Sequence, residues 1–257
     1  MDYIINENNN IRFVEIGNKQ GPILVLLHGL FGALSNFEHL MNSFQENYKI
    51  AVPLLPIFEL PIREINLQAY VNYVERFINM MGYEKVHIFG NSLGGHIALL
   101  YAFENPEKLV SLTLTGSSGL FENSMGSTYP KRKDYEFVKV RTKETFYDGA
   151  LATKDVVDEV YDMLNDRNKV LRLIATSKSA LRNNVEDRLS EIEVPTLLVW
   201  GKQDTITPPF VGEKFKECIK KAELVLLDKC GHAPMMERPK EFNAAYDDFL
   251  KRCINSN

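Results

Sequence analysis

The sequence predicts an α/β protein built on a doubly wound, mostly parallel sheet. Three observations point there. Short apolar runs alternate along the chain with helical patterns. Several of those runs are continuously apolar, as in strands covered on both faces. One stretch of about 70 residues, from about Ser118 to about Glu191, lacks any strand pattern and reads as a helical insertion.

The elements follow in order. Tyr3–Ile5 and Ile11–Ile16 flank Asn8-Asn9-Asn10 and read as an antiparallel hairpin. Ile23-Leu24-Val25-Leu26-Leu27 is the first continuous strand. Tyr48–Val52, Lys85–Phe89, Leu109–Thr115, Thr196–Trp200 and Leu224–Leu227 repeat its character. Between them, the spacing of Tyr70, Val71, Val74, Phe77, Ile78 and Met81 predicts a helix ended by Gly82. Ile97, Leu100 and Tyr101, stopped by Asn105-Pro106, mark a second, and Phe242 to Leu250 the last. The insertion begins with a basic, aromatic-rich portion and continues with helical patterns; Val156, Val157, Val160, Tyr161 and Leu164 share one face, with Thr153 as N-cap. Val52 to Pro61 carries three prolines, so its backbone is expected extended and its apolar side chains packed under the insertion or along a pocket.

Composition excludes several classes. The 257 residues are 45% hydrophobic and 25% charged, an ordinary globular balance. A net charge of −4 argues against a general nucleic-acid binder. No apolar run reaches the length of a membrane span. Met1–Glu7 shows no basic, then apolar, leader pattern. Cys218, Cys230 and Cys253 form no paired motif and read as free thiols, giving a cytoplasmic expectation. No metal-ligand spacing and no dinucleotide fingerprint occurs, so no cofactor is expected. The expected partner is a small-molecule substrate, with no nucleic acid and no membrane; the oligomeric state is left open, a homo-oligomer included.

Three motifs carry chemistry. Gly90-Asn91-Ser92-Leu93-Gly94 lies between a predicted strand and a predicted helix. A turn that sharp needs small neighbours, exposes the serine hydroxyl and sets the Leu93 amide at a helix N-terminus, where it can hold a developing oxyanion. His28-Gly29-Leu30-Phe31-Gly32 follows the first long strand and can bring a second amide, assigned to Leu30 with Phe31 as the alternative. His28 itself reads as bracing the loop. Trp200-Gly201-Lys202-Gln203-Asp204 and Cys230-Gly231-His232 each end a late strand. A serine needs a base, and the base an orienting acid. Of five histidines, only His232 lies in a loop after a late strand. Ser92, Asp204 and His232 then run in Ser…Asp…His order.

On these motifs the chain resembles the α/β-hydrolase-fold proteins over essentially its whole length. The resemblance implies an α/β-hydrolase core over 1–117 and 192–257, with 118–191 as a helical cap inserted after the sixth strand. It implies Ser92 as nucleophile, His232 as general base and then acid, Asp204 as its orienter, and Leu30 and Leu93 as oxyanion hole. Glu122 and Asp228 are competing acids. Phe31, Asn91, Phe121 and Met125 are expected to contact substrate, with Tyr129, Phe137, Phe146, Tyr147 and Met163 as further candidates that at helical spacing are more often core.

The resemblance also bounds the reaction. Ser92 stands where a dehalogenase or epoxide hydrolase needs an aspartate. Gly90-Asn91-Ser92 and Ser35-Asn36-Phe37 are similar to meta-cleavage-product hydrolases, but those often carry tryptophan after the histidine, where this chain has Ala233-Pro234. The expectation is a serine hydrolase of a carboxylic ester or thioester. A carbon–carbon hydrolase of dienoate ketones, or a related synthase, is the first alternative. A catalytically silent ligand-binding member is the second.

Overall fold

The computed structural model describes residues 3–32, 34–121 and 131–255. In chain order the elements are β1 (Asn6–Asn8), β2 (Ile11–Gly17), β3 (Ile23–Leu27), α1 (Glu38–Phe44), β4 (Lys49–Pro53), α2 (Leu67–Met80), β5 (Val86–Asn91), α3 (Leu93–Glu104) and β6 (Leu109–Thr115). Among the described residues, three α-helices follow before the sheet resumes: α4 (Tyr135–Lys143), α5 (Lys154–Asn165) and α6 (Arg167–Arg182). The chain ends with β7 (Thr196–Gly201), α7 (Pro209–Cys218), β8 (Ala222–Leu227), α8 (Pro234–Glu237) and α9 (Pro239–Asn255).

One sheet holds all eight strands in the order β1-β2-β4-β3-β5-β6-β7-β8. β1 and β2 run antiparallel to their neighbours, and β4 through β8 pair in parallel across β3. The continuous apolarity of β3 has a direct cause. Val25 and Leu27 face the layer that contains α2 and α3, while Leu24 and Leu26 face the layer that contains α1 and α9. Both sides are buried, so no position is left for a polar residue.

The hairpin lies later than the apolar pattern suggests. Asn6–Asn8, not Tyr3–Ile5, pairs with β2, and Ile4 is 78% exposed. Turn chemistry overrides hydrophobicity here. Asn9 and Asn10 sit at φ 49° and 61°, the left-handed pair that a two-residue hairpin turn requires and that asparagine tolerates. The turn sets the register, so Asn8 must face Ile11.

Helix ends behave as local chemistry dictates. Thr153 caps α5 through the Val156 amide, and Gly82, at φ +67°, follows α2. Asn66 caps α2 by accepting from the Ala69 amide at 2.9 Å. Helix α4 forms within the basic, aromatic-rich portion, where the pattern of apolar residues is weak; Asp134 caps it through the Phe137 amide.

The helices between β6 and β7 are tied to the rest of the fold at identifiable points. Tyr70 of α2 and Thr176 of α6, both fully buried, share a 2.8 Å hydrogen bond. The Val185 amide donates to Gly119 O at 2.9 Å, closing the two ends of the insertion on each other. The Val52–Pro61 segment is extended only to about Pro56 and then turns, with the Leu60 amide donating to Pro56 O; it meets α6 where Arg172 Nε donates to Leu60 O at 3.0 Å. Tyr70→Phe leaves the Thr176 hydroxyl buried without its partner. Urea unfolding is expected to show a loss of about 1–2 kcal/mol, and an unchanged midpoint would mean the bond is not formed.

Candidate active site

The first component is a one-residue reversal between β5 and α3. Ser92 takes φ 54° and ψ −120°, a conformation few non-glycine residues adopt. Its amide donates to Thr115 O at 3.0 Å, and its carbonyl accepts from Gly95, His96 and Ser118 amides. The turn fits only because its neighbours are small. A Cβ on Gly94 would lie 2.1 Å from Leu27 O, so α3 can approach β3 only with glycine there.

The second component is the loop after β3. His28 is buried; its Nδ1 donates to Gly29 O at 2.9 Å and its Nε2 accepts from the Leu55 amide at 3.1 Å. A carbonyl must receive and an amide must give, so this histidine is the neutral Nδ1–H tautomer. Burial also pushes its pKa below the usual histidine range. It ties the loop to Leu55, just beyond the end of β4.

The third component joins the ends of β7 and β8. His232 Nδ1 lies 2.9 Å from Asp204 Oδ2, with the Asp204 side chain fully buried. Asp204 is saturated otherwise: Oδ1 accepts from the Ile206 amide at 2.8 Å and the Thr207 amide at 3.0 Å, and Oδ2 from Thr207 Oγ1 at 2.8 Å. A carboxylate oxygen accepts, so Nδ1 of His232 is the donor in this pair. In the neutral ring the lone pair is then on Nε2.

Ser92 and His232 line one cavity of about 690 Å³, together with Leu30 and Phe31. Val156, Val160 and Met163 of α5 supply an apolar wall, with Phe146 and Met236 beside it. Charge is confined to Arg141, Glu144 and Glu159 among the other described lining residues, and Arg141 Nη1 is already paired with Glu144 Oε2 at 2.6 Å.

Several expected residues take different places. Asn91 lines the cavity, but its amide nitrogen donates to Thr115 O at 3.1 Å and His232 O at 3.2 Å, so that group secures the histidine loop. Phe121 stands apart from the described lining; it is 45% exposed and packs on Phe210 with ring centroids 5.3 Å apart. Asp228 is exposed and accepts from Gln203 Nε2, with no hydrogen bond or ion pair to His232 among the described residues. Met125, Glu122 and Tyr129 lie outside the described residues. Thr207 was not singled out by its residue type. Its signal is the Asp204-Thr205-Ile206-Thr207 spacing, an Asx turn whose amides fold back on the carboxylate.

Ser92, Asp204 and His232 follow the carboxyl ends of the parallel strands β5, β7 and β8, where open α/β sheets place their sites, and the arrangement is that of a hydrolase of the α/β class. The chain belongs to the alpha/beta hydrolase family, which it matches over residues 24–245. A solved structure of an alpha/beta hydrolase enzyme, MGS-MChE2, from a lagoon-sediment metagenome of Mar Chica, Morocco, is 37% identical, covers 97% of this chain and 98% of that one, and superposes with a TM-score of 0.80. The 2-hydroxy-6-oxo-6-phenylhexa-2,4-dienoate hydrolase of Comamonas testosteroni is 25% identical over 96% of this chain and 99% of its own length. Lipase 3 of a Moraxella species is 26% identical over 92% of this chain and 80% of its own.

Two buried histidines outside this cavity give a pH signature. His87 bonds Ser111 Oγ at 2.7 Å in the sheet, and His96 Nε2 donates to Asn183 O at 2.8 Å; burial lowers both pKa values to about 4. The unfolded chain takes up protons near pH 6.5 that the folded one refuses, so stability is full above that pH and falls as pH drops toward 4. A urea midpoint lower at about pH 5 than at about pH 7 is expected, and His87→Gln should flatten that difference. An equal pH dependence in the variant would contradict the assignment to His87.

Proposed function

We propose that the protein is a serine hydrolase of small, uncharged carboxylic esters or thioesters. The observation that carries this is the buried Asp204–His232 hydrogen bond opening onto the same cavity as Ser92. In this reading Ser92 Oγ attacks the substrate carbonyl while His232 Nε2 takes its proton. Asp204 keeps the imidazole in register and stabilises the imidazolium. The oxyanion is met by the Leu93 and Leu30 amides; in support, neither donates to a backbone carbonyl in the turns around it, among the described residues. His232 then returns the proton to the departing alcohol or thiol, and water resolves the acyl-enzyme by the same steps reversed. Residues 118–191 serve as the cap, and α4 and α5 supply the wall that selects the acyl or leaving group. The free cysteines fit a cytoplasmic setting.

The wall favours the ester reading over the carbon–carbon one. A dienoate ketone brings at least one carboxylate, which a cation would favour; Arg141 pairs with Glu144 through Nη1, although its buried Nε has no partner among the described residues. Among the described lining residues Arg141 is neutralised by Glu144, and Glu159 adds a further negative charge. A neutral ester asks for none of this. The full-length likeness to the Comamonas dienoate hydrolase supports the carbon–carbon reading as the second one.

Ser92→Ala should lower p-nitrophenyl butyrate turnover by on the order of 10⁴-fold or more while the fold is kept. Unchanged turnover would end the serine mechanism. Across a panel of neutral esters and dienoate ketones, the esters should be the faster substrates; activity confined to the dienoates would reverse the ranking.

A further inference from the structure

Glu237, in α8, has no role in the chemistry described above, yet its carboxylate gathers backbone amides from two parts of the molecule. Oε1 accepts from the Gly231 amide at 3.0 Å and the Ala233 amide at 3.1 Å, the residues on either side of His232. Oε2 accepts from Gly231 at 3.0 Å and from the Tyr147 amide at 2.8 Å. Tyr147 belongs to the turn after α4. That turn makes two further contacts: Thr145 O accepts from the His232 amide at 3.0 Å, and Glu144 O from Thr205 Oγ1 at 3.2 Å. Thr205 adjoins Asp204, so the turn touches both the loop of the acid and the loop of the base. The approach is close enough that a Cβ on Gly231 would lie 2.8 Å from Thr145 O and 2.9 Å from the Tyr147 amide nitrogen.

We propose that Glu237 is a positioning residue for His232, and that by holding Tyr147 it makes residues 144–147 part of the same unit, so that the base is in register when this turn of the insertion is seated. The physical reason lies in the loop. Residues 230–233 have no regular secondary structure, so their amides need acceptors. One carboxylate satisfies those flanking the imidazole, and charge-assisted bonds to amides are about twice as strong as neutral ones. Glutamine cannot replace it fully. It offers one oxygen, and with that oxygen on Gly231 and Ala233 its NH₂ opposes the Tyr147 N–H.

The inference rests on the reading of Ser92 and His232 as nucleophile and base. The test is steady-state turnover of p-nitrophenyl butyrate by Glu237→Ala and Glu237→Gln, with Ser92→Ala and Glu241→Gln in parallel and thermal melts of each. Misplacing a reacting group costs rate more than binding, so kcat should fall roughly ten- to a hundredfold in Glu237→Ala with KM changed less than about threefold. Glu237→Gln should lie between it and wild type. Glu241→Gln removes the same charge four residues away and should match wild type. If Glu237→Ala does not fold, Glu237→Gln decides on the same criterion. Wild-type kcat in a folded Glu237 variant, or a fall in activity no larger than the lost folded fraction, overturns the proposal. Turnover surviving in Ser92→Ala would fail the underlying reading instead, so the two failures are distinguishable.

Discussion

Between Asn91 and Leu93 the backbone turns from strand to helix in a single residue, and Ser92 bears the cost with φ at 54°. A non-glycine residue in that region is strained by about 1–3 kcal/mol and persists only where its surroundings fix it. Here they do so from three sides. The Thr115 carbonyl holds the serine amide, three amides converge on the serine carbonyl, and α3 is pressed against β3 so closely that position 94 has room for no side chain. The arrangement of β3, β5 and β6 side by side at the centre of the sheet is what makes those contacts available together.

The histidines show how environment divides one residue type among different tasks. His28 is buried with both ring nitrogens satisfied by backbone, and its tautomer is dictated by those partners. His87 and His96 are desolvated to the point of being neutral through most of the accessible pH range. Among the described residues, His232 is the histidine that pairs with a buried carboxylate, Asp204. A side chain equally able to brace, pack or accept a proton is thus committed by what its two nitrogens meet.

How far the sequence revealed this depends on the physics at each position. The parallel strands were legible because burial on two faces leaves continuous apolar runs, and the order of Ser92, Asp204 and His232 because a sheet edge collects the ends of successive strands. Contacts set by backbone groups were not. The His232 amide meets Thr145 O, and the Tyr147 amide meets Glu237, across 87 and 90 positions of chain, and any residue supplies an amide. Asn91 illustrates a subtler limit: its place beside the serine was evident, but the two carbonyls that claim its amide group come from strands and loops far away in sequence. Phe121 shows the reverse, an aromatic residue whose partner, Phe210, lies on α7 and draws it to the surface.

The neighbours β6 and β7 are adjacent in space but separated in sequence by the entire stretch from Gly116 to Pro195. The backbone groups that hold the serine turn come from residues up to Ser118, and Asp204 and His232 follow far beyond it. Because synthesis proceeds from the N-terminus and domains fold as their chain emerges, the serine turn is specified well before the Asp204–His232 pair exists. The nascent chain therefore carries the Ser92 turn without the Asp204–His232 pair, which assembles only when the last two strands have closed the edge of the sheet.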